Sequence, residues 1–375
     1  MGSPDPNGRQ LDGMGGGISS LSKICVVKDS ERDDASVDFT FVQVGIREGM
    51  VDYEGNCGNM TAAIGPFAVD SGLVDSVAVS ASASKSGVVE ATTEEDDDDG
   101  TRLQTIKLYN TNTDKIIQAT FPVNGEEAVA TGSFSIDGVA GSGAEIRLDF
   151  IDPAGSKTGS LLPTGNIVDK FFDGKVRATC IDVGNPCIFV PASEVLTTSI
   201  SGINDTTKLK GIILPDEMQN HPTLLTNLES IRQEASIKMG FNNVPPSIPK
   251  ICLVSCPTSH RLSSGDWLDG CSVDVVVRAI STQQPHKALP ITSGLAVSAA
   301  ATMSGTVVAE CLASDSASSS AHDRGRDDDD GAVVIGHPSG TLKVNAVYDA
   351  RGGLEKATVY RTARRLMDGN VYWKG

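Results

Sequence analysis

The residues with the clearest chemical potential in this chain are Gly55-Asn56-Cys57-Gly58-Asn59, one cysteine framed by glycine and asparagine ahead of the small-residue run Met60 to Val69. If that run is a helix, its first turn offers unpaired backbone N–H groups and a partial positive charge. Both bias a thiol toward thiolate and welcome a carboxylate. The glycines permit close approach of a ligand, and the asparagines can cap the helix. A capped helix beside an inert buried thiol would give the same pattern. A second candidate is Gly15-Gly16-Gly17-Ile18-Ser19-Ser20-Leu21-Ser22-Lys23, where glycines and hydroxyls suited to a carboxylate precede a lysine. On the residues alone, Lys23 is either a surface lysine at a strand edge or a base, and the serines either bind or simply turn the chain. The run lacks the G-K-[ST] ending of a phosphate loop and the strand–G-x-G-x-x-G–helix arrangement, which argues against nucleotide binding.

The elements that must position these groups are mostly short β-type runs. Ser36 to Ile46, Thr105 to Tyr109, Gln118 to Pro122, Ile146 to Phe150, Cys187 to Val190, Ile251 to Val254, Val273 to Ala279, Ala332 to Ile335 and Thr341 to Val347 are β-branched or alternate in polarity. Three helices are expected: Met60 to Gly72, Thr223 to Met239 and Pro290 to Met303. The second places Leu224, Leu225, Leu228, Ile231 and Ile237 on one face, as a surface helix does. The other two are built of Ala, Ser, Gly and Val nearly all round, so burial on every side is expected, with a kink at Pro66. Each of these follows a polar turn and exits through Ser-Gly into strands, at Ser71-Gly72 and Ser304-Gly305, which points to two similar domains.

Composition bounds the partners. A chain of 375 residues is expected to form two domains, and 31 basic against 48 acidic residues repel polyanions, so nucleic acid and anionic membranes are disfavoured. No run of ~18 apolar residues marks a membrane span, and no signal peptide is evident. The acidic runs Glu94 to Asp99 and Asp327 to Asp330 read as solvated loops. Eight cysteines show neither C-x-x-C nor zinc spacing, and Cys252 and Cys256 read as structural thiols. A reducing, cytoplasmic setting is expected, with the sequon at Asn204 unglycosylated and no metal or cofactor. There is no G-x-S-x-G, the histidines are scattered, and His337 reads as a turn residue.

Taken in order, Asp12-Gly13-Met14-Gly15-Gly16-Gly17-Ile18-Ser19-Ser20-Leu21-Ser22-Lys23, Gly55-Asn56-Cys57-Gly58-Asn59, Leu162-Pro163-Thr164-Gly165-Asn166, Gly184-Asn185-Pro186-Cys187 and His337-Pro338-Ser339-Gly340 resemble the PrpF family of 2-methylaconitate and aconitate Δ-isomerases. This family is a branch of the diaminopimelate epimerase and proline racemase fold. The resemblance implies an α+β, diaminopimelate epimerase-like fold. Its two similar domains each wrap a curved, mostly antiparallel sheet round a central helix, and the site lies in the cleft between them. Limits of 1–158 and 159–353 are expected, with 357–373 returning as a strand to the first domain.

The resemblance further implies cofactor-independent isomerisation of a small unsaturated di- or tricarboxylate, with Lys23 as base and Cys57 as acid or thiol donor. Gly15, Gly16, Ser19, Ser20, Ser22, Asn56, Gly58, Asn59, Thr164, Gly165 and Asn166 are the expected substrate-binding residues. His286 and Lys287 join them as a possible cation site where the related epimerases place a second cysteine. In Gly184-Asn185-Pro186-Cys187, cysteine replaces the histidine of the epimerases. Two rivals remain: an amino- or hydroxy-acid epimerase, which wants that second thiol, and a non-catalytic homologue that binds carboxylates or a protein partner. Family members usually carry further N-terminal residues, including a strand and a carboxylate-pocket loop, so a truncated site and an open sheet edge are expected. A homodimer fits the resemblance, although no apolar seam is legible.

Overall fold

Alternating Val, Ile, Phe and Thr side chains build the strands of the protein, whose computed structural model describes residues 1–74, 89–91, 100–199, 212–281, 283–313 and 331–372. Lys23–Asp29 (β1) pairs antiparallel with Val37–Val44 (β2). The chain then forms Gly58–Thr61 (α1) and Ile64–Asp70 (α2) and returns as Thr101–Asn110 (β3), parallel to β2. Lys115–Asn124 (β4) and Ile146–Ile151 (β5) follow, both antiparallel. An excursion through Val176–Val183 (β6), Asn185–Pro191 (β7), Ala192–Ser199 (α3) and Pro222–Lys238 (α4) comes next.

The first order of elements is then repeated. Lys250–Ser255 (β8) pairs antiparallel with Val275–Ser281 (β9), and Ile291–Thr302 (α5) and Val307–Ala313 (α6) follow. Val333–His337 (β10) lies parallel to β9, and Gly340–Tyr348 (β11) and Leu354–Arg361 (β12) complete the copy antiparallel. β12 also pairs antiparallel with β5, so the two copies join through their last strands into one continuous sheet. On the other flank β7 runs parallel to β8 and β6 antiparallel to β7. This is the mixed, mostly antiparallel sheet with central helices of the diaminopimelate epimerase-like fold.

One face of the sheet buries the central helices. Ile106, Leu108, Ile117, Ala119 and Phe121 of the first copy, and Val275, Val277, Ala279 and Ile335 of the second, meet α2 and α5 in one core. The opposite face of β6, β7 and β8 is covered by α3 and α4 through Leu196, Leu224, Leu228 and Ile231. Burying each such large side chain contributes roughly 1.5–3 kcal/mol before entropy is counted. Two-sided burial explains why β7 and β8 read as continuous apolar runs rather than alternating ones.

Three helix expectations need correction. The first helix is interrupted at Ala62–Ala63, because Pro66 has no N–H to give the Ala62 carbonyl and the α-helical ladder resumes only at Phe67 N to Ala63 O (3.0 Å). It is not buried all round either, since Phe67 is 48% exposed. In α4, Ile237 is 67% exposed, because it stands about 150° round the helix from the buried row of Leu224, Leu228, Ile231 and Ala235. By contrast, α5 is buried at every residue except its last two. The acidic runs and Asn204 lie outside the described residues, among which no helix is long and apolar enough to cross a membrane.

Candidate active site

The two copies bring their helix starts together. A Cβ built on Gly58, the first residue of α1, would stand 2.6 Å from Ile291, the first residue of α5, so only glycine permits this approach. Asn185 bolts the contact. Its Nδ2 donates to the Asn56 carbonyl (3.0 Å) and to Thr292 Oγ1 (3.1 Å), while its Oδ1 accepts from Asn56 N–H (3.1 Å). One buried amide thereby ties the turn before α1 to the first turn of α5.

Local sequence explains why Asn185 is so fixed. Gly184 takes a left-handed φ of +66° in the tight turn between β6 and β7. Just before it, the buried Asp182 accepts from Ser156 Oγ (2.6 Å), Lys157 N–H (2.8 Å), Thr158 N–H (2.8 Å) and Thr158 Oγ1 (2.9 Å). The crossover around residue 158 is thereby clasped to the end of β6.

Lys23 and Cys57 meet at this junction: Lys23 Nζ lies 3.4 Å from Cys57 Sγ, and both residues are half-buried. Lys23 opens β1, and Cys57 is the extended residue capping α1, with its carbonyl accepting from Thr61 N–H (3.0 Å). Cys25, two residues along the same face of β1, has its thiol pushed up to about 12 by burial and by Cys57, with Lys23 opposing. The first-turn amides of both helices have no intrahelical partner, and the two starts lie against each other.

A further group stands here that sequence reasoning missed. Lys250 opens β8 beside Cys187 of β7, and the register Ile251–Ile280, continued by one residue, sets it across from Ser281. Burial lowers its pKa; Cys187, Cys252 and Cys57 oppose that shift, and Lys23 adds to it, so the two amines sense each other. The adjoining thiols are tied up: Cys187 Sγ donates to Ser293 Oγ (3.6 Å), and the bond from Cys252 to Cys187, then burial, holds the Cys252 proton well above the usual range. The overlooked signal was internal repetition. Lys23-Ile24-Cys25-Val26-Val27 recurs as Lys250-Ile251-Cys252-Leu253-Val254 at the head of the equivalent strand.

The other expected site residues divide. His286 belongs to the cluster: its Nε2 pairs with Ser281 Oγ (2.7 Å), and burial, then Lys250 and Lys23, depress its pKa to about 3, so the ring is neutral. Lys287 does not belong, since its side chain is 77% exposed and reaches Asp216 at 4.0 Å on the surface. Asn56 is buried and accepts from Thr61 Oγ1 (3.2 Å), whereas Asn59 is exposed. Ser19 and Ser20 sit exposed in the short turn ahead of Lys23. Ser22 is buried, with its hydroxyl donating to Gln10 Oε1 (2.6 Å) and the Ile18 carbonyl (3.1 Å), so it holds the loop together. Gly15 and Gly16 pack against the side chains of Gln10 and Leu21.

Thr164, Gly165 and Asn166 are brought elsewhere. Their turn is fixed by Asn166 Nδ2 on Asp169 (2.8 Å), and Ile167, which follows, packs beside Gly305, beyond the far end of α5 from Cys57. His337 is buried in the turn it was read into, its Nδ1 accepting from Ser339 N–H (3.2 Å), with its pKa depressed to about 4 by burial and then Arg278. Among the described residues no cluster of three or more His, Cys, Asp or Glu side chains could hold a metal ion.

Comparison with known proteins finds a family model described as "PrpF protein" matching residues 1–374. The chain is 36% identical to 3-methylitaconate isomerase of Eubacterium barkeri, over 99% of this chain and 87% of that protein. It is 34% identical to 2-methyl-aconitate isomerase of Shewanella oneidensis, over 99% of this chain and 86% of the relative. A crystal structure of methylitaconate-delta-isomerase superimposes with a TM-score of 0.73 at 35% identity, covering 99% of this chain and 85% of that one.

Proposed function

The chain belongs to the PrpF family, and from that premise we propose that it is an isomerase that moves a double bond within a small unsaturated di- or tricarboxylate of the methylitaconate or aconitate type. The observation that carries this reading is the 3.4 Å approach of Lys23 Nζ to Cys57 Sγ at the meeting point of two helix starts. The proposed cycle starts from the amine form of Lys23 and the thiol form of Cys57, which are the forms able to take and to give a proton.

Lys23 takes the proton from the carbon allylic to the unsaturated acid, so that C–H bond breaks and the electron pair spreads into a dienolate. The amides at the start of α5, with Thr292 and Ser293 beside them, stabilise the charge that develops on the carboxylate oxygens. Cys57 delivers its proton to the other end of the allylic system, forming the new C–H bond. The Lys23 ammonium then returns a proton to the Cys57 thiolate across their direct contact, and both groups are restored. Ser19 and Ser20, ahead of Lys23, and the backbone around Asn56, Gly58 and Asn59 are the donors available to the carboxylate nearest the reacting carbon. The cycle requires neither a cofactor nor a second thiol at α5. An epimerase reading lacks that second thiol, because neutral His286 stands near the place it would occupy.

The test is proton NMR in D2O with cis-aconitate, trans-aconitate, itaconate and their methylated analogues. Isomer formation with deuterium entering the allylic carbon, abolished in Lys23→Ala, is the expected result. Double-bond migration without solvent exchange, or unimpaired by Lys23→Ala, would overturn the assignment of Lys23.

A further inference from the structure

The eight cysteines of this chain are unequally placed. Cys25 and Cys57 belong to the site, Cys180 is buried in the core beneath α3 and α4, and Cys271 is exposed. Two pairs remain. Cys187 and Cys252 are bonded to each other and fully buried, so a dissolved oxidant has no access to either. Cys256 and Cys311 are also bonded thiol to thiol, but here one partner is open, since Cys256 is half-buried while Cys311 is 9% exposed. Their meeting follows from the periods of the two elements. Cys252 and Val254 face the central helices from β8, and Cys256, two residues on, continues that row just past the strand. On α6, Val307, Val308 and Cys311 share the side turned into the same core. Ser255 is the last residue of β8 in register with β9, so the backbone at Cys256 shifts more readily than a strand interior would.

We propose that Cys256 and Cys311 are the two halves of a reversible disulfide that forms on exposure to hydrogen peroxide and braces α6 against the end of β8. Cys256 is the attacking thiol. It is the more exposed of the two, and Cys311, its pKa pushed up by the bond to Cys256 and then by burial, keeps its proton and donates it to the Cys256 sulfur. The Cys256 thiolate attacks one peroxide oxygen, the O–O bond breaks, and the other oxygen takes up a proton and leaves as water. The Cys311 sulfur then attacks the Cys256 sulfenic acid. The S–S bond forms, the S–O bond breaks, and the second oxygen departs as water with the Cys311 proton. The two thiols together lose two electrons and the peroxide gains them. A small thiol reverses the step by exchange. The bridge closes a loop that contains β9 and α5, so it restricts the unfolded chain and stabilises the fold. Distance spares the chemistry at Lys23: Lys250 opens β8 at the site, and Cys256 stands past the other end of that six-residue strand, roughly 20 Å away.

The probe is hydrogen peroxide in modest molar excess over the intact protein, followed by alkylation of the remaining thiols, proteolysis and mass spectrometry. A joined peptide pair carrying Cys256 and Cys311, lighter by two hydrogens than the separate thiols, is expected, and dithiothreitol should release it. The urea midpoint of the oxidised protein should rise by about 0.5–1 M and return on reduction. Turnover is not the readout, because Cys57 also meets the peroxide. Cys256→Ser should abolish both the joined peptides and the rise in midpoint. Cys311→Ser should leave Cys256 as a sulfenic acid that dimedone traps. Should loss of the buried Cys311 thiol prevent folding, the Cys256→Ser variant, changed at a half-buried position, carries the test alone. Dimedone capture of Cys256 in the intact protein without the joined peptides would overturn the proposal, as would a bridge from Cys256 to any other cysteine. Joined peptides with an unchanged midpoint would refute the brace. A rise in midpoint that persists in Cys256→Ser would place the stabilisation at another pair and overturn it equally.

Discussion

The two copies share one order of elements, yet their helix starts are chemically unlike. In the first, a cysteine caps a helix interrupted ahead of Pro66, and a lysine on an edge strand reaches it. In the second, Pro290 leads into an uninterrupted helix buried along nearly its whole length. The lysine of its first strand is held in the interior of the sheet beside thiols already engaged with neighbours. The first copy thus carries the proposed acid and base at the margin, where movement is tolerated. The second carries a neutral imidazole and an uncompensated amine on a rigid support. Duplicated topology supplies two equivalent places, and side-chain identity divides the work between them.

The sharpest way to break this division is to remove the marginal pair. Lys23→Ala should lower kcat by about 10²- to 10⁴-fold, the usual range for a positioned acid–base group, with binding of tricarballylate, a saturated tricarboxylate that has no double bond to move, largely retained. Cys57→Ala should fall in the same range, while Cys57→Ser should recover part of it as a poorer acid. Steady-state rates together with tricarballylate affinity check both. A variant of Lys23 that lost binding but kept turnover would overturn its assignment as the base and make it a carboxylate contact instead.

The junction itself comes next. Asn185→Ala leaves the buried N–H and C=O of Asn56 and the Thr292 hydroxyl without their partner. Each such loss costs about 1–3 kcal/mol, so a destabilisation of at least about 3 kcal/mol is expected in urea denaturation. Gly58→Ala tests the same junction by crowding. Its methyl would stand 2.6 Å from Ile291, so the helix starts must separate, costing about 1–3 kcal/mol. Activity should fall with it, and Ile291→Ala alongside Gly58→Ala should restore part of the activity by removing the Cγ2 and Cδ1 that the methyl would meet. If Gly58→Ala were neutral for activity, convergence of the two starts would not be needed for the chemistry.

Much of this arrangement was legible from residue types, and the failures have physical causes. Strands with β-branched alternation, such as Thr341 to Val347 within β11, show in the sequence because one face is buried and the other is not. The strand at Val176–Val183 was passed over because burial on both faces and an Arg, a Thr and an Asp within it blur any period of two. Lys23 and Cys57 were found through motifs in glycine-rich turns, where few residue types fit. Lys250 was not, because a lysine after a proline-rich loop is indistinguishable from a solvated strand end until the sheet closes over it. Thr164-Gly165-Asn166 failed in the opposite sense. The glycine is needed there, at φ +76°, for the turn itself, and tertiary packing carries that turn to the far end of α5.

The smallest expected effect concerns the imidazole that holds the second copy's counterpart position. His286 is neutral in the folded protein, its pKa depressed from an ordinary 6.5 to about 3 by burial and by the amines of Lys250 and Lys23. In the unfolded chain it binds a proton as the pH falls through 6.5, so between that value and about 3 the unfolded state holds more protons. Stability must therefore decline on acidification across this window and be unaffected by this residue above it. His337, depressed to about 4, adds a contribution of the same sign. Urea denaturation of the parent at pH 7 and pH 5 should show a loss of order 1 kcal/mol from His286, which His286→Gln should remove while leaving the His337 share. If His286→Gln retained the full pH dependence, the imidazole would be protonated in the fold and a second cation would stand beside Lys250. The contrast between an acid–base pair at the margin of the first copy and a neutral imidazole in the second would then have to be redrawn around His286.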